Sequence, residues 1–164
     1  MTYRALNPLS ITRAELAEML DKTGWSKVFS WNQIETLSEY LEAYEAPKDF
    51  ELVAEGTKDP SMCILIKGQI SIRKGKDKNQ KELAIIRAPQ SFGEMSLIDG
   101  EPRSASAIST TEVVFLVLTK KRFFELSDQA PALAVKLLWG ITRMLSKRLR
   151  KTSGDLLEFF AQEN

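Results

Sequence analysis

The sequence predicts an α+β fold, with helices at both ends and a roll of short antiparallel strands between them. Three observations predict it. Apolar residues recur at steps of three and four over residues 10–46, switch to a period of two from about 50 to 118, and return to three and four after Thr119. Short strands with turns every eight to twelve residues suggest a sandwich or barrel.

The elements follow in order. Ser10 or Thr12 caps a first helix, with Glu15 three residues after Thr12 as a capping-box partner and Leu16, Met19 and Leu20 as its stripe. Gly24 breaks it. A second helix starts at Ser30 or Asn32, carries Ile34, Leu37, Tyr40, Leu41 and Tyr44, and ends at Pro47. Strands are expected over 50–55, 63–66, 69–73, 82–87, 106–108 and 112–118, with a polar hairpin tip from Gly75 to Gln80. Thr119 caps a short helix, and Pro131 opens a long one striped by Ala134, Leu137, Leu138, Ile141, Leu145 and Leu149. Ser153-Gly154 interrupts that stripe, and Asp155 with Glu158 forms a further capping pair. Lys136, Arg143, Lys147, Arg148, Arg150 and Lys151 read as its solvated face.

Composition narrows the function. The 164 residues suffice for a domain with its own core. A net charge of +1 gives no whole-chain attraction to nucleic acid or membrane. No apolar run reaches the roughly 20 residues of a membrane helix. Met1-Thr2-Tyr3-Arg4 lacks the layout of a secretory signal, so a cytoplasmic location is expected, with no membrane partner. The single cysteine, Cys63, lies in Met62-Cys63-Ile64-Leu65-Ile66 and reads as a small buried hydrophobe. The chain has no histidine, which removes the common zinc sites and histidine-assisted nucleophiles. No catalytic residue and no metal are expected, and the chain is not read as an enzyme.

One stretch stands apart: SFGEMSLIDGEPRSASA, residues 91–107. Arg103 is a permanently charged fork suited to two phosphate oxygens. The segment from Gly93 to Ile98 fits one helical turn, whose free N–H groups and dipole favour an anion. Gly93 leaves room for close approach. Glu94 is an acceptor only, suited to a hydroxyl donor such as a ribose 2′-hydroxyl. Ser104 adds a hydroxyl to the phosphate or the base edge, Ala105 and Ala107 keep the floor shallow, and Pro102 fixes the turn. Residue by residue a blander account is available, in which Glu94 and Arg103 simply pair with each other on the surface.

The stretch FGEMSLIDGEPRSASA resembles the phosphate-binding cassette of the cyclic-nucleotide-binding domain family, of the catabolite activator and kinase regulatory-subunit type. The resemblance runs from about Trp25 to Lys151 and includes EGTKDPSMCILIKGQISI ahead of the cassette. It implies an eight-stranded β-roll, with Glu94 on the ribose 2′-hydroxyl and Arg103 on the cyclic phosphate. Phe92, Gly93, Met95 and Ser96 would line the cassette, with Ser104 and Ala105 beside the phosphate. Arg143, Met144 and Lys147 are the candidates to cap the base. Cys63, Thr57 and Pro89-Gln90 depart from the family pattern, all outside the cassette. Ser104 favours cAMP, with cGMP as second choice.

The resemblance divides the chain into an N-terminal helical extension (1–24), the nucleotide-binding domain (25–151) and a C-terminal helical tail (152–164). Too few residues follow the long helix for a DNA-reading module, so DNA is not expected as a partner. The Leu138-Ile141-Leu145-Leu149 stripe predicts a homodimer. The expected role is a sensor whose final helix shifts on binding, read by an effector protein of unknown identity or by a domain such as a cyclic-dinucleotide phosphodiesterase outside this chain. The alternative is a protein–protein adaptor whose pocket no longer binds nucleotide.

Overall fold

The computed structural model describes residues 2–75 and 79–162. It bears out the α+β class: two four-stranded antiparallel sheets face each other, with helices before and after them. A 3-10 turn at Tyr3–Ala5 is followed by α1 (Arg13–Asp21), a 3-10 turn at Gly24–Lys27 and α2 (Trp31–Ser38). The strands are β1 (Glu42–Ala46), β2 (Glu51–Val53), β3 (Ser61–Lys67), β4 (Gln69–Lys74), β5 (Lys81–Arg87), β6 (Ser91–Phe92), β7 (Ser106–Ser109) and β8 (Val113–Thr119). Helix α3 (Glu94–Asp99) interrupts them, and α4 (Lys120–Gln129) and α5 (Pro131–Gln162) close the chain. One sheet runs β1-β8-β3-β6 and the other β2-β7-β4-β5. Part of the expected hairpin tip, residues 76–78, lies outside the described residues.

The continuous apolar runs of β3 and β8 are explained by burial on both faces. Met62, Ile64, Leu116 and Leu118 pack under the helices with Leu20, Trp25, Leu37, Leu126, Leu137 and Ile141. Their alternates Cys63, Leu65, Phe115 and Val117 fill the inside of the roll with Leu52, Ile70, Phe92 and Ala107. Burial pushes the Cys63 thiol up to about 12, with Arg103 opposing the shift, which makes it the inert small hydrophobe expected. Gly140 lets α5 approach this core: a Cβ there would meet the Trp25 ring at 2.6 Å.

Several caps form as the residues dictate. The Thr12–Glu15 capping box starts α1, and the Thr119 side chain accepts the Arg122 N–H at the head of α4. Two expectations fail. The second helix stops at Ser38, and Tyr44 belongs to strand β1, where it sits opposite Phe115 of β8 with the rings stacked at 5.8 Å. A short apolar run fits either period, and here β8 supplies backbone partners that a longer helix would forgo. At the other end α5 passes through Ser153-Gly154 without a break. The Ser153 hydroxyl donates to the Leu149 carbonyl four residues back, so it is turned into the existing helix and does not cap a new one. The cost of an exposed helical glycine, about 1 kcal/mol, is too small to stop a helix of this length.

Candidate functional site

Strand β6, helix α3 and the segment up to β7 form one wall of a cleft of about 480 Å³ between the cassette and α5, a size typical of small-ligand sites. Gly93 makes the turn into α3. It has φ +79°, and a Cβ there would meet the Arg103 Nη1 at 2.3 Å. Glycine is therefore required on both conformational and steric grounds.

Of the four charged residues of the cassette, Asp99 and Glu101 are exposed, while Glu94 and Arg103 are buried, as charged side chains rarely are. They do not pair with each other. Glu94 binds the Arg148 guanidinium through Oε1, while Oε2 has no hydrogen-bond partner. Arg148 also donates to the Ser91 carbonyl. One turn earlier on α5, the Ser91 hydroxyl donates to the Met144 sulfur at 3.0 Å. Arg103 donates from Nη1 to the Gly93 carbonyl at 2.9 Å and from Nη2 to the Ser61 hydroxyl at 2.7 Å. Its Nη2 lies 3.8 Å from Asp59 Oδ2, and its Nε is buried with no partner. Buried charged groups with unmet hydrogen bonds are costly in a fold and mark places where a ligand completes the set.

The structure brings Phe92, Gly93, Glu94, Met95, Ser96, Arg103, Ser104 and Ala105 to this one cleft. Arg143 is not among the lining residues, and neither are the other two candidate base caps, Met144 and Lys147. Their place is taken by Arg148, Lys151, Thr152 and Asp155 of α5. The reason is helical geometry. Ile141 is buried against the roll, and positions three, four and seven beyond it, Met144, Leu145 and Arg148, share its face. Arg143, two residues on, faces solvent. Arg148 is expected on the solvated face; extending the Leu137–Ile141 stripe by one more heptad turns it inward. Val53, Ile72 and Leu83 to Ile86 give the cleft an apolar wall. Among the described residues there is no cluster of histidine, cysteine or carboxylate groups suited to a metal. No helix among them is long and apolar enough to cross a membrane.

Comparison with known proteins agrees with this geometry. A family model described as cyclic nucleotide-binding domain matches residues 45–130. The CRP-like cAMP-activated global transcriptional regulator of Mycobacterium tuberculosis is 28% identical over 142 residues, covering 86% of this chain and 62% of that protein. The cAMP-dependent protein kinase regulatory subunit of Neurospora crassa is 32% identical over 88 residues, 53% of this chain and 22% of that protein. A solved cyclic nucleotide-binding domain from Methylobacillus flagellatus superposes with a TM-score of 0.77 at 29% identity, covering 88% of this chain and 82% of that one. The chain thus spans less than two thirds of the length of these curated relatives.

Proposed function

The chain belongs to the cyclic nucleotide-binding domain family, and we propose that it is a regulatory sensor of cAMP that signals through the position of α5. One observation carries this reading: two buried, oppositely charged groups with unmet hydrogen bonds, Glu94 Oε2 and Arg103 Nε, belong to residues that line the same cleft. A cyclic nucleotide offers an anion for the arginine and a ribose hydroxyl for the carboxylate. Two relatives whose names specify cAMP, together with Ser104 at the cleft, support adenine over guanine.

In the mechanism, Arg103 holds the cyclic phosphate, and the ribose 2′-hydroxyl donates to Glu94 Oε2. Glu94 Oε1 stays with Arg148, so the sugar and α5 share one carboxylate. The base lies against the apolar wall of Ile72 and β5, beneath Lys151, Thr152 and Asp155. Occupancy shifts α5 only because the nucleotide binds better to one helix position than to another.

The output is relayed by a homodimer and an effector protein in the cytoplasm. Ile141 and part of the expected dimer stripe cover the chain's own core, but Val135, Trp139 and Leu149 are 66%, 67% and 68% exposed along α5. These residues are the surface a second copy would cover. The comparisons run against excluding DNA as a partner, because the Mycobacterium tuberculosis relative is named a transcriptional regulator and has length beyond the matched share.

The test is calorimetric titration with cAMP and cGMP, with Arg103→Ala as control. Submillimolar cAMP binding that falls at least about 100-fold in the variant, the loss of two charge-assisted hydrogen bonds, supports the reading. Absence of binding by either nucleotide leaves the adaptor alternative.

A further inference from the structure

The cassette arginine is connected to the N-terminus of the chain. The 3-10 turn Tyr3–Ala5 is anchored by Tyr3, whose ring is 2% exposed and packs edge-on against Tyr44 and Phe115 inside the roll. Beside it, Arg4 donates to Asp59 Oδ1 from Nε at 3.0 Å and from Nη2 at 2.7 Å. The Tyr3 hydroxyl donates within reach of the same oxygen, at 3.3 Å, and of the Ser61 hydroxyl, at 3.2 Å. Asp59 and Ser61 are the two side chains that face the Arg103 Nη2. The N-terminal turn and the cassette arginine therefore hold the same two side chains.

The division of charge matters. Asp59 is buried and carries one negative charge between two guanidinium groups. Arg4 takes Oδ1 at hydrogen-bonding distance, while Oδ2 has no hydrogen-bond partner and stands 3.8 Å from Arg103. With Arg4 in place, the carboxylate has a closer counter-ion and holds Arg103 less strongly, which leaves that guanidinium freer for an anion in the cleft. Without Arg4, Arg103 becomes the sole counter-ion of a buried carboxylate, an attraction that strengthens as the dielectric falls. An anionic ligand then competes with Asp59 for the same fork. The Arg4 side chain is itself 59% exposed, so its grip is open to control from outside the domain.

We propose that the Tyr3-Arg4 turn is a positioning element for Arg103: by compensating Asp59 it raises affinity for the ligand's phosphate, and ligand binding in turn tightens the docking of the N-terminus. The proposal rests on the reading that Arg103 binds a nucleotide phosphate. The reciprocal half follows from linkage, since two sites coupled through one carboxylate influence each other equally.

The experiment measures cAMP affinity by calorimetry for the full chain and for Arg4→Ala, Arg4→Lys and Tyr3→Phe. Hydrogen exchange at residues 3–6 of the wild type is followed with and without saturating cAMP. The expected result is about tenfold weaker binding for Arg4→Ala, within the range usual for coupled sites, with partial recovery in Arg4→Lys. Exchange at residues 3–6, outside the cleft, slows when cAMP binds, a response that a merely structural turn does not give. Should Arg4→Ala fail to fold, the lysine variant and the wild-type exchange decide. Wild-type-like affinity in the variants together with ligand-independent exchange overturns the proposal. A wild-type chain that binds no cyclic nucleotide overturns the reading beneath it as well, and the two failures are told apart by that first titration.

Discussion

Ribose discrimination tests the cleft at the level of a single oxygen atom. Glu94 Oε1 is occupied by Arg148, while Oε2 is buried and has no hydrogen-bond partner. A 2′-hydroxyl donating to that oxygen makes a hydrogen bond to a charged group, worth about 1.5–3 kcal/mol. That energy corresponds to about 10- to 150-fold in Kd. The perturbation is made on the ligand first: 2′-deoxy-cAMP lacks the donor and is otherwise the same shape, so it is expected to bind weaker by that factor. It is then made on the protein. Glu94→Gln has one carbonyl oxygen, which Arg148 claims, and turns an uncharged amide N–H toward the ribose, so the cAMP to 2′-deoxy-cAMP ratio should fall to at most about 2- to 10-fold, the worth of a neutral hydrogen bond. Calorimetry of the four combinations gives the coupling directly, and the difference between ratios is insensitive to general weakening of the pocket. Wild-type protein that binds the two nucleotides within about threefold of each other refutes the assignment of Glu94 to the ribose. So does a ratio left unchanged by the Gln substitution.

Three further outcomes are expected. Arg148→Ala leaves the buried Glu94 carboxylate without its ion-pair partner; a loss of about 1–3 kcal/mol follows, seen as a drop in Tm of roughly 2–10 °C with faster amide exchange over residues 144–155. Gly154→Ala stabilises α5, because Gly154 lies within the helix and nothing stands within 4 Å of an added Cβ; a gain of about 1 kcal/mol by calorimetric unfolding is expected, and a loss refutes the continuous helix. Cys63, with its thiol pushed up to about 12 by burial, stays protonated in the folded protein at pH 8 and ionises there only as pH nears that value. An aromatic disulfide reagent at pH 8 should therefore label no thiol in the native protein and one per chain in denaturant.

Much of this was written locally in the sequence. Thr12 with Glu15, and Thr119, cap helices because the cap is a contact across three residues. The cassette is legible because Gly93-Glu94 and Pro102-Arg103 bracket one short turn of helix, and the fold places Glu94 and Arg103 on one cleft. Tyr44 reads as helical because five residues hold too few turns to separate the two periods, and β8, some seventy residues away, decides the outcome. Arg143 stands among the candidate base caps and Arg148 does not, because nothing local separates the basic residues of α5; the burial of Ile141 fixes which of them turns inward.

Tyr3, Arg4 and Asp59 show the limit most clearly. Nothing in their local sequence joins them, yet they meet across more than fifty residues and reach the cassette arginine together. The sequence by itself determined what each segment can be: the caps, the strand periods, the turn at Gly93, and the chemistry that Glu94 and Arg103 can offer. These properties depend on bonds and contacts a few residues apart. Only the tertiary structure decided which oxygen of Glu94 is spent on Arg148, which face of α5 covers the cleft, and which carboxylate is shared between Arg4 and Arg103. Those are questions of burial and partner, and a side chain's partner is set by the packing of the two sheets and α5 around one core.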